Sequence, residues 1–346
     1  MMAAVLYGKE DVRIEERPVG ELESGEVRVR IGAALTCGTD VKVFRRGYHV
    51  RMIQPPALFG HEMAGEIVAV GTQVRGWTIG NRVVIGNSAP CGNCYFCRRN
   101  NTELCEDLLF LNGAYAQFLT VPARVAQKNM LRLPSHVSYE EAALTEPLAC
   151  VVRGMDAMPV ESGETVVVLG LGPIGLLFTR LCVLAGARVL AVGRRPERLT
   201  LAAELGAAEV FDEQELPDVA ATLRAHTEEG KGADKVIEAV GQPQAWETAI
   251  AIARKAGTVS LFGGCPAGTR IVVDTHRIHY DEITLKGTFS HTPDTFRRSL
   301  ALISEGMIPT RRFIQQYALL ADLPGILASL ANGTCGAIKT CILPNN

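Results

Sequence analysis

The sequence has no apolar run approaching the roughly 20 residues a membrane-spanning helix needs. Its first residues, MMAAVLYGKEDVRIEE, lack the basic start and apolar core of an export signal. A cytosolic location is therefore expected. Internal repeats and low-complexity tracts are absent, which argues against a solenoid or a flexible linker protein. An excess of one charge is missing too. The 35 basic and 37 acidic side chains leave a net charge of −2, so nothing general points to nucleic acid. What remains is 47% hydrophobic and 21% charged over 346 residues, enough to bury the cores of two ordinary domains.

The stretch Glu164–Gly175, ETVVVLGLGPIG, organises the second half of the chain. Thr165–Leu169 is a short β-branched and apolar run that suits a buried strand. Gly170, Leu171, Gly172, Pro173, Ile174 and Gly175 follow at once, and a helical pattern runs on to Gly186. Strand, glycine turn and helix together are the context in which this spacing means dinucleotide binding. Gly170 makes the tight turn, Gly172 lets the backbone approach a pyrophosphate, and Gly175 lets helix and strand pack closely. Pro173 stands where a helix start needs no N–H, and the free N–H groups there attract phosphate. Further strands are expected at Arg188–Val192, Glu209–Phe211, Lys235–Val240, Thr258–Gly263 and Ile283–Gly287, with Thr269–Asp274 as an additional edge strand. Six strands alternating with helices predict a doubly wound parallel sheet.

The first half reads differently. Residues 1 to about 35 alternate apolar and polar between glycines and prolines, as antiparallel strands do. Cys37 follows such a strand, and His61 and Glu62 follow a Pro-Pro turn and open another. Each alone suits a structural residue, but together they form a plausible metal-ligand set. Cys91, Cys94, Cys97 and Cys105 are the stronger signal. Two-residue spacers let thiolates converge on one ion, and a fourth thiolate closes the coordination. A structural zinc is expected there; an iron–sulfur cluster also uses four cysteines. Arg98 and Arg99 are offset by Glu103, Glu106 and Asp107, so this lobe lacks the basic footprint of a nucleic-acid-binding ribbon. Gly113–Val121 is expected to be a strand. Residues 138–154 are expected to form a helix interrupted at Pro147, with Glu146 pushed out of helical geometry in an otherwise apolar stretch.

These motifs make the chain resemble the zinc-containing medium-chain dehydrogenase/reductases, closest to the sorbitol/polyol and threonine dehydrogenase branch. The resemblance runs over essentially the full length. It rests on CGTD at 37–40, GHEMAGEIVAVGTQV at 60–74, CGNCYFC with Cys105, EEAALTEPLA, GLGPIG, and LKGTF at 285–289. It implies a β-rich GroES-like catalytic domain, 1–149 with 289–346, carrying a structural zinc lobe at about 88–108. A Rossmann domain at 150–288 would complete the fold, with the active site in the cleft between the two. It implies two zinc ions per chain and a homodimer or homotetramer. It also implies that Cys37, His61 and Glu146 hold the catalytic zinc, with Glu62 able to approach the metal during exchange. Thr39 would take the substrate proton. Lys42 stands where a relay histidine is often found, so it either ends the relay or is an ordinary solvated lysine. Arg198, Val240, Phe262, Gly287, Thr288 and Phe289 complete the implied cofactor contacts.

The implied reaction is hydride transfer between a secondary alcohol or polyol, or the matching ketone, and a nicotinamide cofactor. Zinc would act as a Lewis acid on the alcohol oxygen. NAD-binding folds usually carry an acid at the end of the second strand for the ribose 2′-hydroxyl. Here that acid is absent, and Gly193, Arg194 and Arg195 follow the strand. Two guanidiniums suit a 2′-phosphate, so NADP(H) is preferred, with NAD(H) possible. The alternatives are an NAD(H)-dependent threonine-type or sugar dehydrogenase, and a nucleotide-binding relative without turnover. Cys37, Thr39, His61 and Glu146 are all present, which argues against the last.

Overall fold

The computed structural model covers residues 1–346 and divides into two units, Met1–Ala149 with His291–Asn346, and Cys150–Ser290. In the first unit the alternation VRVRIGAAL becomes the strand Val27–Leu35, with Val27, Val29 and Ile31 buried and Arg30 exposed. It pairs antiparallel with Glu62–Val70 on one side and with Phe118–Val121 and Lys339–Leu343 on the other. The sheet extends through Arg82–Ile85 and Met130–Arg132 at one edge and Ile314–Leu319 at the other. A smaller sheet holds Met2–Gly8, Asp11–Glu16 and Ala57–Leu58. Leu6, Phe59, Met63, Ile67, Tyr115 and Leu327 are among the side chains that fill the core. Each large aliphatic residue buried this way stabilises the unit by about 1.5–3 kcal/mol before conformational entropy is counted.

One register detail positions the chemistry. Leu35 pairs with Glu62 in one neighbouring strand and with Cys341 in the other. The end of the Val27–Leu35 strand therefore brings Cys37, His61, Glu62 and the C-terminal Lys339 to one end of the sheet.

The second unit has six parallel strands. Their order is Glu209–Asp212, Arg188–Gly193, Thr165–Leu169, Ala233–Glu238, Ala253–Leu261 and Thr284–Gly287. The chain leaves the Thr165–Leu169 strand to one side first and returns to the other, which creates the switch point at its carboxyl end. Gly170 follows there at φ +92°. Gly172 caps the helix Pro173–Leu184, with Pro173 in its first turn. A Cβ at Gly175 would lie 1.8 Å from the carbonyl oxygen of Gly170, so helix and turn fit only because this side chain is missing.

Four expectations are corrected. Thr269–Asp274 is not a strand; the edge position beside Ala253–Leu261 is filled by Thr284–Gly287, and Asp274 instead caps the helix Thr275–His279. The strand within Gly113–Val121 is confined to Phe118–Val121. Before it, the Gly113 and Ala114 N–H groups turn to donate to the Gly60 carbonyl. The helix break falls at Leu144, between Tyr139–Ala143 and Thr145–Ala157, and Glu146 is in the first turn of the second helix. Pro147 is tolerated there because first-turn N–H groups have no intrahelical partner to lose. The strand expected at Lys235–Val240 runs Ala233–Glu238, because Glu238 turns its carboxylate back onto the Val240 and Gly241 N–H groups at 2.7 Å each.

Gly175→Ala is expected to destabilise the second unit by about 1–3 kcal/mol, because backbone rather than a flexible side chain must move. Calorimetry reads this as a lowered Tm; an unchanged Tm contradicts the packing argument.

Candidate functional site

Cys37 ends the extended backbone and caps the helix Gly38–Arg46, its Sγ accepting from the Thr39 N–H at 3.4 Å. Asp40 returns the bond, accepting from the Cys37 N–H at 3.3 Å. His61 lies immediately before the Glu62–Val70 strand. Its Nδ1 is 2.9 Å from Asp40 Oδ1, and the Tyr115 hydroxyl donates to the other carboxylate oxygen at 2.6 Å. All three side chains are buried. In the neutral imidazole this arrangement favours the tautomer with the proton on Nδ1, which would leave Nε2 as a lone-pair donor to a metal.

The ligand atoms of Cys37, His61 and Glu62 lie within 4.8 Å of one another. Thiolate, imidazole and carboxylate are the donor types zinc takes at a catalytic site with an open position, and the Asp40–His61 contact is the outer support such a site uses. Burial opposes charge on His61, yet Asp40 and Cys37 together hold its pKa well above the ordinary value. Burial also raises the Cys37 thiol, with Glu62 adding to the effect. A cation among these groups would offset the cost of the buried negative charges.

Glu62 is not a free carboxylate. Lys339 Nζ donates to both its oxygens, at 2.8 and 2.5 Å, and to the Thr36 carbonyl at 2.9 Å. Glu146 lies outside the three-residue group. Its Oε1 is 3.7 Å from His291 Nε2. Burial pushes the Glu146 pKa up to about 7, against the pull of His61. Burial pushes His291 down to about 4, so it is neutral at pH 7, and its Nε2 lies 2.9 Å from Asn87 Oδ1. Thr39 is half-buried; Lys42 is exposed, three residues on along the same helix face.

Asp40, Tyr115, Lys339, His291 and Asn87 were not singled out by sequence reasoning. Asp40 had a signal, since an acid three residues after a capping cysteine has the spacing of a capping box. The others join across long sequence separations and carry no local mark.

Cys91, Cys94, Cys97 and Cys105 gather in a second place. Their Sγ atoms lie within 4.8 Å of one another, with Cys91–Cys97 and Cys94–Cys105 at 3.9 Å, and all four are free thiols. Four bonds of about 2.3 Å to one tetrahedral ion require sulfurs about 3.8 Å apart, which matches. The same spacing leaves no room for a multi-iron core. Backbone N–H groups of Cys97 and Glu106 lower the Cys94 pKa to about 6, while burial pushes Cys97 up to about 12. The donor set fits zinc with no position left open.

In the second unit a pocket of about 310 Å³ opens at the switch point, lined by Gly170, Val192, Arg194, Glu213, Val240 and Gln242 among others. Nothing lies within 4 Å of where a Gly172 Cβ would be, so the helix start that includes Ile174 is open to a phosphate. Arg195 and Arg198 are half-buried at the start of the helix Pro196–Glu204. Phe262 packs edge-on against Phe178 at 4.9 Å. Gly287 ends the edge strand, and Thr288 and Phe289 follow it at the same carboxyl end of the sheet. Gly193 carries no side chain for a reason: a Cβ there would lie 2.9 Å from Leu171 Cδ1.

Asp40→Asn is expected to lower zinc affinity at the Cys37–His61 site by about 10–100-fold while the four-cysteine site keeps its metal. Chelator competition monitored by zinc content separates the two; equal retention at both sites contradicts the role given to Asp40.

Models of known families match in two places. The alcohol dehydrogenase GroES-like domain matches residues 23–134, and the zinc-binding dehydrogenase domain matches residues 173–305. The chain is 32% identical over 323 residues to a sorbitol dehydrogenase of Bombyx mori, covering 90% of each chain. It is 28% identical over 351 residues to D-arabinitol dehydrogenase 1 of Uromyces fabae, covering 99% of this chain and 97% of the other. A zinc-binding dehydrogenase of Sinorhizobium meliloti 1021, solved bound to NADP, superposes with a TM-score of 0.90 at 28% identity over 99% of both chains. The 2R,3R-butanediol dehydrogenase of Bacillus subtilis gives 0.87 at 28% identity over 99% of both. With a GroES-like domain, a dinucleotide-binding sheet and these relatives, the chain belongs to the zinc-binding alcohol dehydrogenase family, in its polyol and sugar-alcohol branch.

Proposed function

We propose that this enzyme transfers a hydride between a secondary alcohol or polyol, or the matching ketone, and NADP(H), with two zinc ions per chain and a homodimeric or tetrameric assembly. The single observation that carries the reading is the Cys37–His61–Glu62 cluster, its His61 and Glu62 buried and its Cys37 half-buried, with the imidazole oriented by Asp40. Names of the relatives, sorbitol and D-arabinitol dehydrogenase, support a polyol.

When bound, zinc supplies Lewis acidity that makes an alcohol proton acidic near neutral pH, and NADP⁺ supplies the hydride acceptor. The chain does the rest. Cys37 Sγ and His61 Nε2 are two of the holders. For the third, Lys339 occupies both oxygens of Glu62, which supports Glu146 as the acid that takes up the position, directly or through water. Glu146, with a pKa of about 7, can hold or release a proton at working pH. The role of taking the substrate proton goes to the Thr39 hydroxyl, in the first turn of the helix that Cys37 caps, and Lys42 on the next turn is the candidate to pass it outward. The burial of His61, Glu62 and Glu146 keeps bulk water from the charged groups.

For the cofactor, Arg194 lines the pocket at the end of the second strand and supports a 2′-phosphate there. The NAD(H) reading stays as the second one, on a specific observation: Arg194 already holds a carboxylate, Glu213. Steady-state kinetics with a panel of secondary alcohols, sugars and polyols tests the proposal. Alcohol-dependent reduction of NADP⁺ is expected, with kcat/KM about tenfold above NAD⁺. Arg194→Ala should remove that preference. A wild-type preference for NAD⁺ contradicts the cofactor assignment, and absence of turnover with every class contradicts the activity.

A further inference from the structure

The corner of the nucleotide pocket where a ribose 2′ substituent is read contains an acid that the second strand does not supply. Gly193 pairs in register with Asp212 on the neighbouring parallel strand. The next residues of the two strands, Arg194 and Glu213, therefore meet side by side. Arg194 Nε donates to Glu213 Oε2 at 2.6 Å and its NH2 nitrogen to Oε1 at 3.0 Å. Both side chains line the pocket that Gly170 and Val240 also line. At position 193 itself an acid would be crowded, because a Cβ would lie 2.9 Å from Leu171 Cδ1 and Leu171 would have to shift. The adjacent strand end places a carboxylate at this corner instead.

The fork of a guanidinium binds one planar anion well along the Nε–NH2 edge. Here that edge is taken by Glu213. A 2′-phosphate must displace the carboxylate or bind beside it, and in the second case two anions face each other. A 2′-hydroxyl meets neither obstacle, since it carries no charge and can donate to a carboxylate. Arg194 is exposed and Glu213 half-buried, with side-chain exposures of 64% and 36%, so solvent screens the contest without abolishing it.

We propose that Glu213 is a specificity-determining residue: by holding Arg194 it limits the preference for NADP(H) and keeps the site open to NAD(H). The inference rests on the reading that Arg194 recognises the 2′-phosphate. Its effect is on NADP(H) binding, through Arg194, and not on the reaction.

The experiment is fluorescence titration of the zinc-loaded enzyme with NADPH and with NADH, for wild type, Glu213→Gln, Glu213→Ala, Arg194→Ala and the Arg194→Ala/Glu213→Gln double variant, needing no alcohol substrate. Glu213→Gln keeps the side-chain shape and removes the charge. It is expected to tighten NADPH about fivefold and to change NADH by no more than about twofold. Glu213→Ala should do the same, and in the Arg194→Ala background Glu213→Gln should leave NADPH binding unchanged. If Arg194→Ala weakens NADPH while neither Glu213 variant tightens it, the inference is overturned and the cofactor reading stands. Tightening that persists without Arg194 overturns the inference as well, since Glu213 would then act on the phosphate directly. If Arg194→Ala leaves NADPH binding unchanged, the cofactor reading fails and takes the inference with it.

Discussion

A lysine and a glutamate with almost no exposure hold together the end of the sheet on which the metal site depends. Lys339 and Glu62 are 277 residues apart in sequence and meet only because the C-terminal strand closes against Val27–Leu35. Taking two charges out of water costs several kcal/mol per ion, and the geometry here answers that cost with three hydrogen bonds from one ammonium. Such a pair contributes little net stability when intact. Breaking it strands a buried charge, at about 3–5 kcal/mol, so the strand and the site are tied to each other. The consequence for chemistry is that Glu62 sits beside Cys37 and His61 but is already committed.

Acidic groups accumulate at this end of the first unit: Asp40 at His61, Glu62 at Lys339 and Glu146 near His291. Each has a different environment. Asp40 has the Tyr115 hydroxyl and the Cys37 N–H as donors and stays an acceptor for the imidazole. Glu62 has the ammonium. Glu146 has burial as its strongest influence, which pushes its pKa up to about 7. The three carboxyls thus differ in partner: an imidazole and a phenol for Asp40, an ammonium for Glu62, and a neutral imidazole for Glu146. The nucleotide unit applies the opposite device. There the glycines at 170, 175 and 193 leave space that Val240, Gly170 O and Leu171 fill, and the helix start at Gly172 is open.

What was legible in the sequence was local. The Thr165–Leu169 strand, the Gly172 cap and the convergence of the four lobe cysteines all follow from spacing within a few residues, and the structure shows each. Cys37, His61 and Glu62 were also legible as candidates, although their meeting required the sheet register. Long-range partners were not legible. Tyr115 reaches Asp40 across 75 positions and His291 reaches Asn87 across 204, and neither has a periodicity that announces it. Two local rules misled. A proline after Glu146 predicts a helix break there, yet in a first turn it displaces no bond. The apolar TRIVVD suits an edge strand by its residues, yet a later segment occupies that edge. The Arg194–Glu213 pair lies between these cases: Arg194 carries a local signal and Glu213 none, because their adjacency comes only from the parallel pairing of strand ends.

The central claim is that the Cys37–His61 cluster holds zinc independently of the four-cysteine lobe. The direct measurement is anomalous diffraction at the zinc edge from crystals of the zinc-loaded enzyme. Two peaks per chain are expected, one enclosed by Cys91, Cys94, Cys97 and Cys105, the other within bonding distance of Cys37 Sγ and His61 Nε2, about 2.3 and 2.1 Å. A fully loaded chain with a single peak in the lobe, or with a second peak away from Cys37 and His61, would contradict the account.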